Sequence, residues 1–246
     1  MIAPLLVSSL LAAASAAPAA TPDAEALLRD SDRARGALPE GVTWTVFVDS
    51  TEEGETTRRS YLVRARGVDA LCEALSPPRH KGEVIVFNDR TIWYVKPGLR
   101  RPIAISARQR LQGDAATGDI TTTNYARDYA GTIAGEDVVD GDPAWRLDLV
   151  ARNKTVTYDR IRYWVSKKRR LAVKAEFLTV GGDVFKTASI EYGGRVREPG
   201  GGEVDFPARV TIRDAMGAGA VTVLTYESPR AEPHPPAIFN VNNVAR

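Results

Sequence analysis

The chain has 246 residues, of which 43% are hydrophobic and 26% charged, and 33 basic against 31 acidic side chains leave a net charge of +2. That balance excludes a general nucleic-acid binder, which carries a large basic excess, and the apolar content excludes a disordered chain. Cys72 is the one cysteine, so an intramolecular disulfide and a cysteine zinc site are ruled out. The two histidines, His80 and His234, have no partner at metal-ligand spacing, so no metal and no cofactor is expected.

The first stretch reads as a leader. From Ile2 to Ala20 there is no charged side chain; Leu5-Leu6-Val7 and Leu10-Leu11 form an apolar core that grades into alanines. Ala14-Ser15-Ala16 has the small-x-small form of a signal-peptidase site, so residues 1–16 are expected to be a signal peptide, cleaved between 16 and 20. The apolar core is too short for a membrane span, which needs about 20 residues. No later segment is long and apolar enough either. An exported chain with a lone thiol fits a bacterial periplasm.

Residues 21–246 read as a single domain, without repeats or a low-complexity linker. One clear helix comes first. Thr21 can cap it, Pro22 suits its first position, and Asp23 and Glu25 favour its positive end. Ala24, Leu27, Leu28 and Ala34 mark one face, and Gly36 is the expected stop. From Gly41 the period changes to two, the mark of half-buried strands. Trp44, Val46 and Val48 alternate with Thr43, Thr45 and Phe47. An insert at about 97–128 breaks this rhythm: Ser106 is expected to cap a short helix through Leu111, Gly113 to end it, and a second polar helical turn to follow Gly118. Alternation resumes through Trp145, Leu147 and Leu149; through Val173, Ala175 and Phe177; through Phe206, Ala208, Val210 and Ile212; and through Ala220 to Tyr226. Asn88-Asp89, Gly141-Asp142, Gly181-Gly182 and Gly200-Gly201-Gly202 supply the turns.

Many consecutive strands with one greasy face need a cover, and two helical segments are too little for a second full layer. The expected fold is mainly β with some α: a curled antiparallel sheet forming an incomplete, half-open barrel, covered by the N-terminal helix and a short helical lid insert.

Two runs, TIWYVKPGLRRPIAISARQRLQGDAATGDI and YDRIRYWVSKKRRLAVKAEFLTVGGDVFKTASIEY, together with FPARVTIRD near the C-terminus, resemble the LolA-like superfamily of outer-membrane lipoprotein-sorting proteins. The resemblance covers essentially all of the chain after the leader; its most specific part is Trp93-Tyr94-Val95-Lys96-Pro97-Gly98 with the two basic runs. It implies an incomplete barrel whose helices lid an apolar cavity for the acyl chains of lipoproteins or for lipids. The chain is longer than the lipoprotein carrier of that superfamily and adds the Gly200–Gly202 loop.

On that footing Trp44, Val46, Trp93, Trp145, Leu147, Phe177 and Phe206 are the candidate cavity wall, and Ile103, Ile105 and Leu111 the candidate lid. The same residues read equally as a solid core, because alternation defines a face without saying whether it is filled. Lys96, Arg100, Arg101, Arg108 and Arg110 fall in a run with no acid and are the candidate rim for anionic head groups or a partner; Lys167 to Arg170 form a second basic run. The plainer reading of both is solvated strand faces and a charged turn that protects a sheet edge. No catalytic motif is present: there is no nucleophile elbow, P-loop, zincin motif or dinucleotide fingerprint, and no catalytic residue is assigned. Cys72, between Leu71 and Leu75, reads as a packed thiol, and both histidines as exposed. Ile238 and Phe239 could pin the proline-punctuated tail to the body or contact a partner. The expected function is a monomeric, non-enzymatic periplasmic carrier for lipoprotein acyl chains or lipids, with an inner-membrane transporter as a candidate partner. The alternatives are a periplasmic sensor of the RseB type and an accessory protein of a lipid-exporting transporter.

Overall fold

The computed structural model describes residues 22–88, 91–120, 124–217 and 219–244. The expected signal peptide and the Thr21 cap lie outside the described residues. Helix α1 (Ala24–Arg33) is capped by Asp23, whose carboxylate accepts from the amides of Glu25 and Ala26 at 3.2 and 3.1 Å. The cap is thus two residues later than the sequence suggests, because Asp23 offers two acceptor oxygens to the open amides of the first turn. Leu27 and Leu28 are buried, and Gly36, at φ 107°, takes the left-handed position after the last turn.

Six strands follow as a meander: β1 (Val42–Glu52), β2 (Glu55–Arg66), β3 (Asp69–Ser76), β4 (Val84–Asn88), β5 (Thr91–Val95) and β6 (Ile103–Ile105). The insert then carries a small hairpin, β7 (Arg110–Gln112) and β8 (Ala115–Ala116), and two single-turn helices, α2 (Thr117–Ile120) and α3 (Tyr125–Asp128). A second meander comprises β9 (Tyr129–Val139), β10 (Asp142–Ala151), β11 (Arg160–Ser166), β12 (Ala172–Leu178), β13 (Val184–Arg197), β14 (Glu203–Asp214) and β15 (Val221–Ala231). Strand β15 returns to pair with β1, Val46 opposite Tyr226 and Val48 opposite Leu224, and so joins the meanders into one antiparallel sheet of 13 strands. Its two edges, β6 and β9, do not pair with each other, so the sheet is a half-open barrel and not a closed one. No helix among the described residues is long and apolar enough to cross a membrane.

The inner face carries the main core, and α1 with the insert lies across it. The outer face has two small clusters. In one, Phe239 from the C-terminal tail is fully buried against Leu71 and Val86; the tail continues into a short helix, α4 (Val241–Val244), so the tail is pinned to the body. In the other, Trp164 packs with Ala144 and Val173.

Several expectations need correction. Trp93 pairs with Val86 and lies on the outer face beside Phe239; the inner positions of β5 are Ile92 and Tyr94, one residue to either side. Val173 also faces outward, because the pairing slips between Trp164 and Val165 and exchanges it with Ala172. The stretch from Ser106 to Leu111 is no helix. The Ser106 hydroxyl accepts from the Arg108 amide at 3.2 Å, which turns the chain into the β7–β8 hairpin. Ile103 and Ile105 form the edge strand β6, with Ile103 48% exposed, and so neither is carried on a lid. His234 is buried, its Nε2 2.9 Å from the Thr43 hydroxyl.

Candidate functional site

The concave face brings together Trp44, Val46, Leu147, Phe177 and Phe206, all between 0 and 4% exposed. Period two delivers them from β1, β10, β12 and β14. Aromatic rings pack in three groups on this face. Trp44 and Phe206 lie 5.3 Å apart by ring centroid, Tyr158 stacks on Phe177 at 3.9 Å, and Tyr125 of α3 meets Tyr129 and Tyr163 edge-on at 5.0 and 5.2 Å. Leu27 and Leu28 of α1 and Ile120 of α2 complete the same core. These wall residues are therefore covered by the chain's own helices, and a passenger reaches them only by displacing α1 or the insert. Trp145 is half-buried at the margin, with the Lys167 ammonium 4.0 Å from its ring centre.

The insert is fastened chiefly by polar contacts. Arg108 grips Asp159 through two hydrogen bonds of 2.9 and 2.6 Å and donates to the Val156 carbonyl at 3.1 Å. This pairing holds the Asp159 carboxyl below the usual carboxylate range. The Gln112 amide donates to the carbonyls of Val48 and Thr57 at 3.1 and 2.7 Å, and the Asp114 amide donates to the Thr222 hydroxyl at 2.9 Å. Further along, Tyr158 donates to Asp119 at 2.8 Å and accepts from the buried Lys186 ammonium at 3.0 Å, while Lys186 also reaches the Asp114 carbonyl. An opening of about 260 Å³ lies beside this latch, lined by Arg108, Tyr158, Phe185 and Lys186. Gly113 is required at the bend of the hairpin. Its φ is +53°, and a Cβ there would stand 1.9 Å from the Ser50 hydroxyl. Leu111 is half-buried against the core.

Of the five candidate rim cations, three are already engaged: Lys96 with Glu83 at 3.1 Å, Arg108 with Asp159, and Arg110 with Glu52 at 3.3 Å. Arg100 and Arg101 stand exposed in the turn after β5. Three of the four cations of the second basic run are likewise paired, Lys167 with Glu136, Arg169 with Asp142 at 3.6 Å and Arg170 with Asp30 at 2.5 Å. Reading the sequence did not find the latch residues Gln112, Asp119, Tyr158 and Lys186. Their partners are separated by 28 to 72 positions, and no local pattern marks them.

A family model described as an uncharacterized protein family matches residues 67–246. A LolA superfamily protein from Nitrosomonas europaea is 26% identical, with a TM-score of 0.80 over 90% of this chain and 99% of that one. The chain belongs to the LolA-like superfamily. A protein domain from Vibrio parahaemolyticus assigned to outer-membrane lipoprotein sorting shares the LolA-like fold at 16% identity, with a TM-score of 0.75 over 91% of this chain and 98% of its own. A DUF1329 family protein from Desulfovibrio piger does so at 16% identity, with a TM-score of 0.73 over 90% of this chain and 97% of its own. No curated protein matches the chain. The half-open antiparallel sheet expected from alternation, with its N-terminal helix, is thus the observed fold, and the insert interrupts it at the expected place but as a hairpin with two single-turn helices.

Proposed function

We propose that this protein is a periplasmic carrier that shields the acyl chains of lipids or lipoproteins on the inner face of its half-barrel, acting as a monomer and by binding alone. One observation carries the reading. The apolar face of an unclosed sheet is covered by α1 and the insert, a thin layer that adds only a few apolar side chains to the core and is fastened as well by hydrogen bonds and ion pairs. The exposed Arg108–Asp159 pair exchanges readily with water, and the few apolar side chains of so thin a cover can be replaced by those of a passenger. Each CH₂ of a passenger withdrawn from water contributes about 0.8 kcal/mol, which offsets the cost of uncovering the face. Transfer between the inner and outer membranes, with an inner-membrane transporter as donor, is the delivery route this carrier would serve.

Uptake of a fluorescent fatty-acid probe tests the reading. Leu111→Asp places a charge where the insert meets the core and should lower uptake; unchanged uptake overturns the lid. Native mass spectrometry of protein purified from its own host should find phospholipid or an acylated protein bound. Protein that is always empty there, and that takes up no probe, overturns the carrier.

A further inference from the structure

The half-barrel contains a cation, Arg35, that forms no ion pair among the described residues. Arg35 follows the last turn of α1 and is half-buried beneath the helix. Its guanidinium donates to the Tyr163 hydroxyl at 3.3 Å and lies 5.6 Å from the centre of the Tyr125 ring. Tyr192 and Tyr226 complete the surroundings, and their hydroxyls feel its charge. Among the described residues no carboxylate stands within ion-pair distance of it. Asp32 feels the Arg35 charge but turns one oxygen to the Ala126 amide at 2.8 Å; its other oxygen is buried without a hydrogen-bond partner, and burial pushes its pKa up to about 7.

Two neighbouring donors are unpaired. The Tyr192 hydroxyl and the Trp44 indole N–H are both shielded from water, and neither has a hydrogen-bond partner. Trp44 lies against the same turn, since a Cβ on Gly36 would meet its ring at 3.1 Å. A guanidinium and an indole N–H can only donate, and a tyrosine hydroxyl donates readily to an oxyanion. Burial holds the Tyr125, Tyr163, Tyr192 and Tyr226 hydroxyls above the usual phenol range, so they keep their protons. A half-buried charge without an ion pair, beside two unpaired donors, has bonding capacity for a further anionic acceptor. The exposed Arg169 guanidinium, paired with Asp142, stands 5.7 Å from the Tyr192 ring and adds a second positive charge to these surroundings.

We infer that Arg35, with the hydroxyls of Tyr125, Tyr163, Tyr192 and Tyr226, is a receptor for an oxyanion, a carboxylate or phosphate, at the head of an acyl passenger. This rests on the carrier reading for the passenger, but not for the anion.

Calorimetry on the mature chain with oleate, oleyl alcohol and inorganic phosphate tests it, using wild type, Arg35→Gln and Tyr192→Phe. Two charge-assisted hydrogen bonds should favour oleate over the alcohol by roughly 10-fold or more. Arg35→Gln should erase that preference and leave affinity for the alcohol unchanged. Tyr192→Phe keeps the core volume and should reduce the preference several-fold. Equal affinity of wild type for oleate and the alcohol overturns the receptor while leaving the carrier in place, and so does a preference that survives both substitutions. If neither lipid binds but phosphate raises the melting temperature of wild type and not of Arg35→Gln, the oxyanion site stands and the carrier falls. If no ligand has any effect, both are overturned.

Discussion

Replacing Asp32 with Asn should remove a pH dependence of stability that the fold imposes on this one carboxyl. Asp32 is 4% exposed on the inner side of α1, and burial raises its pKa from 3.8 to about 7, against the opposing pull of the Ala126 and Tyr125 amides and of Arg35. Between about pH 4 and 7 the folded chain therefore binds a proton that the unfolded chain has released. Unfolding gives that proton up, and stability falls as pH rises through this window. A gap of about 3 pH units at about 1.36 kcal/mol per unit sets the loss at no more than roughly 4 kcal/mol. That is a large share of the 5–15 kcal/mol typical of a whole domain. Asn keeps a carbonyl oxygen for the Ala126 amide and has nothing to ionise. Urea unfolding at several pH values between 4 and 8 should show Asp32→Asn close to wild type at the acid end and more stable than wild type by a few kcal/mol near pH 8. Parallel curves across the range would refute the argument, since they would mean that Asp32 titrates alike in the folded and unfolded chains.

Four further outcomes follow from the geometry. Gly113→Ala should loosen the β7–β8 hairpin, because its Cβ would collide with Ser50 and Thr222; limited proteolysis should then cut within residues 107–120 faster than in wild type. Arg108→Ala breaks an ion pair that is about two-fifths exposed on both sides, so stability should change by under about 1 kcal/mol while the fatty-acid probe enters faster in stopped-flow measurements. Phe239→Ala empties a fully buried site on the outer face and should cost about 3–5 kcal/mol in urea unfolding, with the probe's affinity for the folded protein unchanged. The Cys72 thiol is buried and pushed up to about 12, so iodoacetamide at pH 8 should label it only as the chain unfolds.

The sequence makes the sheet legible because a half-buried strand writes its two faces into alternate residues. Trp44, Val46, Leu147 and Phe206 were found that way and are all buried on the inner side. The same rule failed where the ladder slips or where both faces are apolar. Val173 changed sides at an irregularity that nothing in its neighbours announces. Trp93 looked like a wall residue because β5 reads Ile-Trp-Tyr, and only the arrival of Phe239 from the C-terminus explains an aromatic on the outer face. The insert was legible as an interruption and illegible as a shape, since a serine able to cap a helix can equally turn a hairpin. Arg35 drew no notice: its tyrosines come from α3, β11, β13 and β15, and that convergence exists only in three dimensions.

The cover and the proposed passenger are matched in energy, and that match bears on how release could occur. Leu27, Leu28, Ile120 and Tyr125 are the large side chains that α1 and the short helices of the insert bury in the core. At about 1.5–3 kcal/mol each, their burial contributes roughly 6–12 kcal/mol, and a palmitoyl chain at about 0.8 kcal/mol per CH₂ offers roughly 12. Exchange of the chain's own cover for an acyl chain is then close to balanced, so small polar terms decide its direction. The Arg108–Asp159 grip and the Tyr158–Asp119–Lys186 latch are terms of that size on the closed side. An oxyanion on Arg35 is one on the loaded side. On the carrier proposal, release would then need no large input, only a docking partner that restores the closed-side contacts or withdraws the head group from Arg35.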